Sequence, residues 1–450
     1  MKILVCAKVC DGAINPFDES AIECALRLSS DVTVISMAPP AAREVLEPLT
    51  RLGARVVLIS DRIYAGSDTL ATSYILAKAI KKYEYDLILC GRQSIDGDTA
   101  QVGPMLAQML GLDVVTNALE VAQADDGLTV STRTGTEKHS LPLLVTMERT
   151  YMLRFPSIFS KLKQIEIADN TIIGCDEKRC GLQGSPTRVV KTFENEAGRR
   201  KCAFITFDEL YPLIERLKKD GRGENKPKYI GKKLKEVWAV GEEVCEKAAE
   251  IAENVVLIEK SNAAQIARRA MEEKPKVILW NADLWGRMNA PIAAAILQTG
   301  LCADCTQLET DGERLFMYRP ARGGNITAKI LCRTLPQTAT VRTESKSSDI
   351  VVAGGKGVFD KMDKIRELAE KAGGTIGASR GLVDMNKIDY KYQIGLTGKT
   401  ISPLIYIAVG ISGAIQHTCG IEGAKTVIAI NPDKNARIFE YADYGIIDSF

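Results

Sequence analysis

The stretch Tyr392–Asn431 constrains the fold of this chain more than any other. Its two short apolar runs, Leu404–Val409 and Thr426–Ile430, have the length and the β-branched content of buried parallel strands. The first run leads directly into the glycine turn Gly410–Gly413 and then into the apolar-periodic segment Ala414–Cys419. This order predicts a strand, a turn and the start of a helix. Backbone N–H groups at such a turn can bind an anion, usually a phosphate.

Two more predicted strands in this part of the chain end in polar or glycine-rich residues. Ile350–Ala353 is followed by the turn Gly354–Gly357, and Thr375–Ala378 is followed by Ser379 and Arg380. Ligands of open parallel sheets bind at the carboxyl ends of the strands. We therefore expect one binding edge along this C-terminal sheet.

Two further features are expected at the same edge. His417 is one of only two histidines in the chain, and the loop Gln393–Lys399 carries a hydroxyl group and a cation beside its glycines. Taken singly, a glycine turn is an ordinary turn and a lone histidine is an ordinary core residue. Their combination with the neighbouring strand ends favours a ligand site.

The composition argues against several classes of function. The net charge of +2 gives no attraction to nucleic acid, and no apolar run reaches the roughly 18 residues of a membrane span. Met1–Cys6 turns polar without the pattern of a signal peptide, and the scattered cysteines fit reduced thiols, so we expect a cytoplasmic protein. Cys302 and Cys305 form the one close pair and lack a second pair, so no metal site is expected.

The N-terminal part alternates predicted strands with predicted helices. The strands are Lys2–Cys6, Val32–Met37, Val56–Ser60 and Asp86–Cys90, and the helices run from Asn15 to about Ser29, over Ala41–Leu52 and over Asp68–Lys81. Strands that are separated by helices imply a parallel, doubly wound sheet.

The sequence also contains an internal repeat. Asp86–Leu112 resembles Lys276–Leu301, because in both a buried strand, a polar loop, a helix and a terminal Gly-Leu follow one another. A VVLI strand precedes each copy, at Val56 and at Val255. The charged, glycine-bearing segment Lys218–Lys228 between them has no periodicity and is expected to be a linker. Two related α/β modules are therefore predicted.

Polar residues follow strands of the first module as well. The loop after its fourth predicted strand carries Asp96–Thr99 and Gln101, and the neighbouring helix opens with two hydroxyls, Thr69 and Thr72, on one face. Such groups at a strand end can hold a phosphate. Plain N-capping by aspartates is the alternative, but capping accounts for one polar residue per helix rather than for the whole set.

Five motifs of the C-terminal part resemble the flavin domain of the electron-transfer flavoprotein alpha subunit. In chain order they are GASR (Gly377–Arg380), TGK (Thr397–Lys399), GISGAIQH (Gly410–His417), VIAIN (Val427–Asn431) and ADYGI (Ala442–Ile446). The resemblance implies an FAD-binding domain built on a Rossmann-like parallel sheet.

The rest of the chain resembles the same family. NPFDE (Asn15–Glu19) and GRQSIDGDTAQVGP (Gly91–Pro104) are similar to the beta subunit, whereas RPARGGN (Arg319–Asn325) and PQTATVR (Pro336–Arg342) are similar to the alpha subunit. The resemblance implies a fusion with the beta-like half first, in which two related doubly wound domains precede the FAD domain. The predicted segments are a beta-like domain with a C-terminal arm (1–220), a linker (221–228), an alpha-like domain (229–342) and the FAD domain (343–450), which turns on a hinge near 343–349.

The resemblance also assigns roles at the FAD site. His417 is expected to donate a hydrogen bond near the flavin O2, Arg380 to lie over the ring system and Thr397 to bond N5 through its hydroxyl. No catalytic residue is expected, because the protein moves electrons rather than atoms. The other residues expected to bind FAD are Lys356, Ser379, Gln393, Ile394, Gly395, Leu396, Gly398, Ser412, Gly413, Ala414, Ile415, Gln416, Asn431 and Asp448. Leu396 and Lys356 depart from the family pattern, which has glutamine and arginine there.

Members of the family hold either AMP or a second FAD in the beta-like half. Those with two FADs split electron pairs from NADH between two acceptors, and TLAT (Thr69–Thr72) with DGDTAQVGP is more similar to that subset. The expected second-site residues are Ala7, Asp68, Thr69, Thr72, Gly91, Asp96, Gly97, Asp98, Thr99, Gln101 and Val102.

The resemblance implies a dehydrogenase of the acyl-CoA dehydrogenase type as partner, with NADH and ferredoxin or flavodoxin added for a bifurcating protein. Arg149 and Arg154, with Phe155, lie in the region that resembles the docking loop of the family. The alternative function is a nucleotide-binding regulatory or adenylate-forming enzyme. ATP pyrophosphatases carry a Ser-Gly-Gly-x-Asp-Ser loop after the first strand, whereas this chain has Ala7–Gly12.

Overall fold

The computed structural model describes residues 1–194, 200–221, 231–324, 326–343 and 348–450. The chain forms two compact units. Unit 1 comprises Met1–Thr192, Tyr229–Arg322 and Ala328–Val341, and unit 2 comprises Phe193–Lys228, Gly323–Thr327 and Arg342–Phe450. Most of the predicted linker and most of the predicted hinge lie outside the described residues, so the four-part division stays a prediction.

Strands are distributed along the whole chain. They are β1 (Lys2–Cys6), β2 (Val9–Cys10), β3 (Ala13–Ile14), β4 (Asp31–Met37), β5 (Arg55–Ile59), β6 (Leu87–Gly91), β7 (Asp113–Ala118), β8 (Glu120–Ala124), β9 (Gly127–Thr132), β10 (Gly135–His139), β11 (Leu143–Met147), β12 (Glu166–Ala168), β13 (Thr187–Glu194), β14 (Ala203–Phe204), β15 (Leu234–Val240), β16 (Ala252–Ile258), β17 (Val277–Asn281), β18 (Leu301–Cys305), β19 (Gln307–Thr310), β20 (Leu315–Ala321), β21 (Ile326–Cys332), β22 (Gln337–Val341), β23 (Ile350–Gly354), β24 (Thr375–Ala378), β25 (Ile405–Val409), β26 (Thr426–Ile430) and β27 (Tyr444–Ile446).

The α-helices alternate with the longer strands. They are α1 (Pro16–Leu28), α2 (Arg43–Leu46), α3 (Thr69–Ile80), α4 (Val102–Leu110), α5 (Asn170–Ile173), α6 (Gly181–Gly184), α7 (Leu210–Asp220), α8 (Cys245–Ile251), α9 (Ala263–Glu273), α10 (Leu284–Leu297), α11 (Met362–Ala372), α12 (Arg380–Asp384) and α13 (Ile415–Thr418). Within the described ranges, no helix is both long enough and apolar enough to cross a membrane.

The first module of unit 1 is a seven-stranded parallel sheet in the order β12-β5-β4-β1-β6-β11-β7. Neighbouring β1 and β6 end together, with Cys6 and Cys90 as register partners. Buried apolar side chains cover both faces of the sheet, one face against α1 and the other against α3 and α4. The predicted doubly wound sheet is confirmed.

One local prediction in this module is wrong. The helix predicted over residues 41–52 is instead the single turn α2 between two 3₁₀ segments, because Pro48 has no N–H for a continuous helix. The side chain of Asn15 does not cap α1. Its amide donates instead to the carbonyl of Gln93 at 2.8 Å.

The second module of unit 1 is a five-stranded parallel sheet in the order β16-β15-β17-β22-β18. The repeat seen in the sequence corresponds to β6 with α4 and to β17 with α10, and the two helices pack against each other. The two VVLI segments are not equivalent. The one in β5 lies two strands from β1, whereas the one in β16 lies directly beside β15, because three strands lie on that side of β1 and only one lies on that side of β15.

Unit 2 contains a six-stranded parallel sheet in the order β14-β27-β26-β25-β23-β24. Every residue of β23, β25 and β26 is buried, which confirms the strands that their apolar runs predict. The arm of the beta-like half belongs to this unit, because β14 pairs with β27 and α7 packs into the same core. The Rossmann-like sheet is therefore completed by a segment that precedes it by more than a hundred residues.

Candidate functional site

The carboxyl ends of β23 and β25 meet at one edge of the unit 2 sheet. The N–H of Gly355, just after β23, donates to the carbonyl of Val409, the last residue of β25, at 2.8 Å. Beyond β25 the chain turns at Gly413, whose φ is +85° and where a Cβ would lie 2.1 Å from the nitrogen of Ile438. Only glycine fits this turn without strain. The glycines of the motif therefore bring two strand ends and α13 together.

The loop from Gln393 to Lys399 closes against the same edge. The N–H of Ile394 donates to the carbonyl of Ala378 at the end of β24, at 2.9 Å. Within the loop, the Nε2 of Gln393 donates to the Oγ1 of Thr397 at 2.7 Å, so the hydroxyl hydrogen of Thr397 is available to another acceptor. The Oε1 of Gln393 is buried and has no partner in the described part of the chain.

His417 lies on α13 and is only 6% exposed. Its Nε2 is 2.7 Å from the hydroxyl oxygen of Tyr406, while no hydrogen bond of normal geometry reaches its buried Nδ1 from the described residues. Burial lowers the pKa of His417 to about 4, although the backbone of Ile394 acts in the opposite direction. The imidazole is therefore neutral at physiological pH.

The remaining predicted FAD residues lie along this edge. Arg380 begins α12 and its Nε contacts the Oδ2 of Asp384 at 3.1 Å. The buried amide of Asn431, one residue past β26, donates to the carbonyl of Ile411 at 2.9 Å. Asp448 lies two residues past β27 at the exposed end of the chain. The exposed members are Lys356, Ser412, Ala414 and Gln416, the partly buried ones are Ser379, Gly398 and Ile415, and Gly395 and Leu396 are buried.

These groups fit a flavin. The edge offers two buried atoms that have no partner among the residues the structure describes, Gln393 Oε1 and His417 Nδ1, and an open hydroxyl hydrogen on Thr397. Buried polar atoms are almost always hydrogen-bonded in folded proteins. A ring with several acceptors and a donor would supply the missing partners, and Gln393, Thr397 and His417 are the residues that would hold it.

In the first module, the predicted nucleotide residue Ala7 follows β1, those from Gly91 to Val102 lie at and after the end of β6, and Asp68, Thr69 and Thr72 lie at the start of α3. The hydroxyl of Thr69 donates to the Oε1 of Gln101 at 2.6 Å, and the Nε2 of Gln101 donates to the carbonyl of Leu301 at 3.0 Å. Asp68 caps α3 through the N–H of Ala71, as the capping alternative proposed. The hydroxyls of Thr72 and Thr99 are half-buried and make no hydrogen bond to described residues.

The loop with Gly97, Asp98 and Thr99 is held by a residue that the site prediction missed. The guanidinium of Arg319 donates to the carbonyls of Gly97 and Asp98 at 2.6 and 3.0 Å. At the start of the loop, Lys8 pairs with Asp96 at 2.6 Å. Asp98 has a φ of +52° and does not cap α4, which begins at Val102. The RPARGGN motif begins at Arg319, and it is the sequence signal from which this residue could have been predicted.

A second missed residue, Asp18, joins β1 to β6. Its carboxylate accepts the N–H of Lys8 at 2.8 Å and that of Gly91 at 2.9 Å. A Cβ on Gly91 would lie 2.2 Å from Asp18 Oδ1, so the glycine is required there. Burial raises the pKa of Asp18 to about 7, although these hydrogen bonds act in the opposite direction. Ala7 lies at the same edge and donates to Ile35.

The segment that resembles a docking loop follows β11. Its apolar side chains are highly exposed, with Phe155 at 94% and Phe159 at 86%. Arg154 is anchored rather than free, since its guanidinium contacts Glu23 on α1 at 2.9 Å, whereas Arg149 is exposed. Burial raises the pKa of Glu23, but hydrogen bonds from Arg154 and Arg27 outweigh it and lower the pKa to about 2.

The cysteines form no disulfide, and Cys302 and Cys305 are both buried thiols. Throughout the ranges that the structure describes, no group of three or more His, Cys, Asp and Glu side chains could hold a metal ion.

Comparisons with known proteins match both halves of the chain. Residues 3–149 and 234–363 match the family profile described as "Electron transfer flavoprotein domain", and residues 345–422 match "Electron transfer flavoprotein FAD-binding domain". Most predicted FAD residues lie within the second match, whereas Asn431 and Asp448 lie beyond it.

Individual relatives match one half each. The chain is 40% identical over 232 residues to "Electron transfer flavoprotein subunit alpha" of Thermoanaerobacterium thermosaccharolyticum, covering 41% of this chain and 70% of the relative. It is 40% identical over 201 residues to "Electron transfer flavoprotein subunit beta" of Megasphaera elsdenii, covering 40% of this chain and 74% of the relative. It is 38% identical over 222 residues to "Protein FixA" of Azorhizobium caulinodans, covering 44% and 79%.

Proposed function

Because this chain belongs to the electron transfer flavoprotein family and joins a beta-like half to an alpha-like half, we propose that it carries electrons through FAD. The donor is a flavin dehydrogenase of the acyl-CoA dehydrogenase type, and the electrons pass on to a redox acceptor. The observation that carries the proposal is the unit 2 edge, where Gln393 Oε1 and His417 Nδ1 are buried and have no partner in the described ranges of the chain. Membership of this family argues against the alternative function, a nucleotide-binding regulatory or adenylate-forming enzyme.

Bound FAD supplies the electron-accepting chemistry, and the chain supplies its setting. With FAD bound, the hydroxyl of Thr397 would donate to N5, His417 would donate near O2, and the cation of Arg380 would offset negative charge on the ring. Asp384 holds the Arg380 guanidinium in place at 3.1 Å. In this proposal the protein works as an electron carrier, a role that needs no side chain to transfer atoms to a substrate.

The first module is proposed to hold a second nucleotide, either AMP or FAD. Supporting this, Thr69 at the start of α3 is hydrogen-bonded to Gln101 just before α4, and the loop after β6 is fixed by Arg319. The half-buried hydroxyls of Thr72 and Thr99 offer donors to a phosphate. A second FAD would favour a bifurcating protein that also uses NADH and ferredoxin or flavodoxin.

The exposed apolar residues after β11 are the proposed docking surface for the dehydrogenase. Apolar side chains so fully exposed suit a small, transient interface. Arg154 supports the surface by its ion pair with Glu23 and is not itself expected to touch the partner.

The test measures electron transfer from a reduced acyl-CoA dehydrogenase to this protein. The transfer is monitored as the loss of absorbance of this protein's own flavin. Replacing Phe155 and Phe159 by serine should slow transfer at least roughly tenfold, since truncating an interface hot spot costs about 2 kcal/mol. The matched control is Ile172→Ser, another exposed apolar side chain (51%), which should leave the rate unchanged. A colourless purified protein would contradict the whole proposal, and an unaffected double variant would contradict the docking surface.

A further inference from the structure

Tyr406 places a hydroxyl group inside an otherwise apolar strand. It lies on β25, which pairs with β23 on one side and β26 on the other, and its side chain is 0% exposed. Its hydroxyl oxygen is 2.7 Å from Nε2 of His417, and the two rings have their centroids 6.1 Å apart. Within the described part of the chain, this nitrogen is the one hydrogen-bonding partner of the hydroxyl.

The direction of this hydrogen bond follows from what each group can do elsewhere. The hydroxyl hydrogen of Tyr406 has no other acceptor among the described residues. A bond in which Nε2–H donated would therefore leave this hydrogen buried and unpaired, at a cost in stability. Burial holds the pKa of Tyr406 well above its ordinary value, so the hydroxyl always has its proton. Tyr406 therefore donates and Nε2 accepts.

The surroundings of Nδ1 favour the same arrangement. The backbone of Ile394 faces His417, and its N–H already donates to the carbonyl of Ala378. What Ile394 presents to the imidazole is therefore its carbonyl, which favours an N–H over a lone pair on Nδ1. It makes no hydrogen bond of normal geometry with Nδ1, so Nδ1–H stays open to the flavin. Because the ring is neutral, a proton excluded from Nε2 must be on Nδ1.

The backbone around His417 is fixed independently of its ring. The N–H of Leu396 donates to the carbonyl of Gln416 at 2.6 Å, and the N–H of His417 donates to that of Ala414 at 2.8 Å. These bonds hold α13 against the loop that carries Thr397. The orientation and the tautomer of the imidazole are then decided by the side-chain contact with Tyr406.

We propose that Tyr406 is a positioning residue that holds His417 as the Nδ1-protonated tautomer, so that Nδ1–H is the donor offered to the flavin near O2. This inference rests on the proposed function, because it assumes that His417 meets the flavin. Without Tyr406 the proton is free to occupy Nε2, and the nitrogen facing the flavin becomes an acceptor for part of the population. A lost donor near O2 lowers the potential of the bound flavin.

The experiment measures the tautomer directly, by ¹⁵N NMR of the FAD-loaded protein labelled at histidine. The chain has two histidines, so the variant His139→Gln assigns both sets of signals. The wild-type protein should show His417 with its proton on Nδ1. In Tyr406→Phe the proton should move to Nε2 in some or all of the molecules, and the midpoint potential of FAD should fall. Tyr441→Phe, which alters another buried tyrosine of unit 2, should change neither property.

Each contrary result has its own meaning. A wild-type His417 protonated on Nε2 overturns the inference without any variant, and so does a tautomer that Tyr406→Phe leaves unchanged. A tautomer that shifts while the potential stays constant supports the bond direction but overturns the contact between His417 and flavin, which belongs to the proposed function.

Discussion

The two proposed nucleotide edges of this chain satisfy their polar groups in different ways. At the unit 2 edge, Gln393 and His417 each bury an atom that has no partner among the described residues. At the first-module edge, buried Gln101 is paired with Thr69, and buried Asp98 accepts from the amide of Gln93 at 2.9 Å. One edge is an incomplete hydrogen-bonding network that a ligand completes, whereas the other is nearly complete without one.

The difference predicts different strengths of binding. A ligand at the unit 2 edge would remove the cost of buried, unpaired polar atoms, whereas a ligand at the first edge would gain only half-buried hydroxyls that water can already satisfy. We therefore expect FAD to bind more tightly than the second nucleotide.

The largest effect is expected from the unit 2 turn. Gly413→Ala places a Cβ 2.1 Å from the nitrogen of Ile438 at a φ of +85°, which should cost about 1–3 kcal/mol from overpacking alone and displace FAD. Urea denaturation and the flavin absorbance per chain measure both effects. Gly381→Ala is the control, because its nearest neighbour would be an ordinary 3.5 Å away. Full retention of FAD in Gly413→Ala would contradict the proposed edge.

A smaller, separable effect is expected at the first edge. Thr69→Val leaves Oε1 of Gln101 buried without its donor, which should lower the free energy of unfolding by about 1–3 kcal/mol and weaken the second nucleotide but not FAD. Thr72→Val removes a hydroxyl that makes no hydrogen bond to the described residues. This variant should weaken binding of the second nucleotide and change the free energy of unfolding by no more than about 0.5 kcal/mol. Equal losses of both nucleotides in either variant would show that the edges are not independent.

The smallest effect is expected in the nucleotide-free protein, where the stability of the two edges should depend on pH over different ranges. His417 has its pKa lowered by burial from 6.5 to about 4, so the folded chain resists protonation and unit 2 loses stability as the pH falls through that window. Burial raises the pKa of Asp96, but hydrogen bonds from Lys8 and Ser94 outweigh it and lower the pKa from 3.8 to about 2. The stability that ionised Asp96 contributes is therefore lost only as the pH falls from 3.8 to about 2.

Hydrogen exchange, measured peptide by peptide as the pH is lowered, tests which of the two regions loses stability first. Unit 2 peptides should lose protection at a higher pH than those around Asp96. His417→Asn should remove the upper window and Asp96→Asn the lower one. Loss of protection in the reverse order would contradict the assignment of the two groups.

The sequence predicts the strands of unit 2 well, because a parallel strand buried on both faces is a continuous apolar run with few competing interpretations. It could not identify the partner of His417, since the face of β25 on which Tyr406 lies depends on how the sheet packs. Arg319 is a similar case, because it reaches a loop 222 residues away in the chain. The broken helix near Pro48 was missed although the proline signalled it.

The most direct test of the central claim is the number and identity of the nucleotides released when freshly purified protein is denatured, determined by chromatography. We expect one FAD per chain that is held firmly through extensive dialysis, and a second nucleotide, AMP or FAD, that is lost first. Two FADs would support a bifurcating protein, and one FAD with one AMP a simple relay. Release of no flavin would contradict the proposed FAD site and the electron-carrier function.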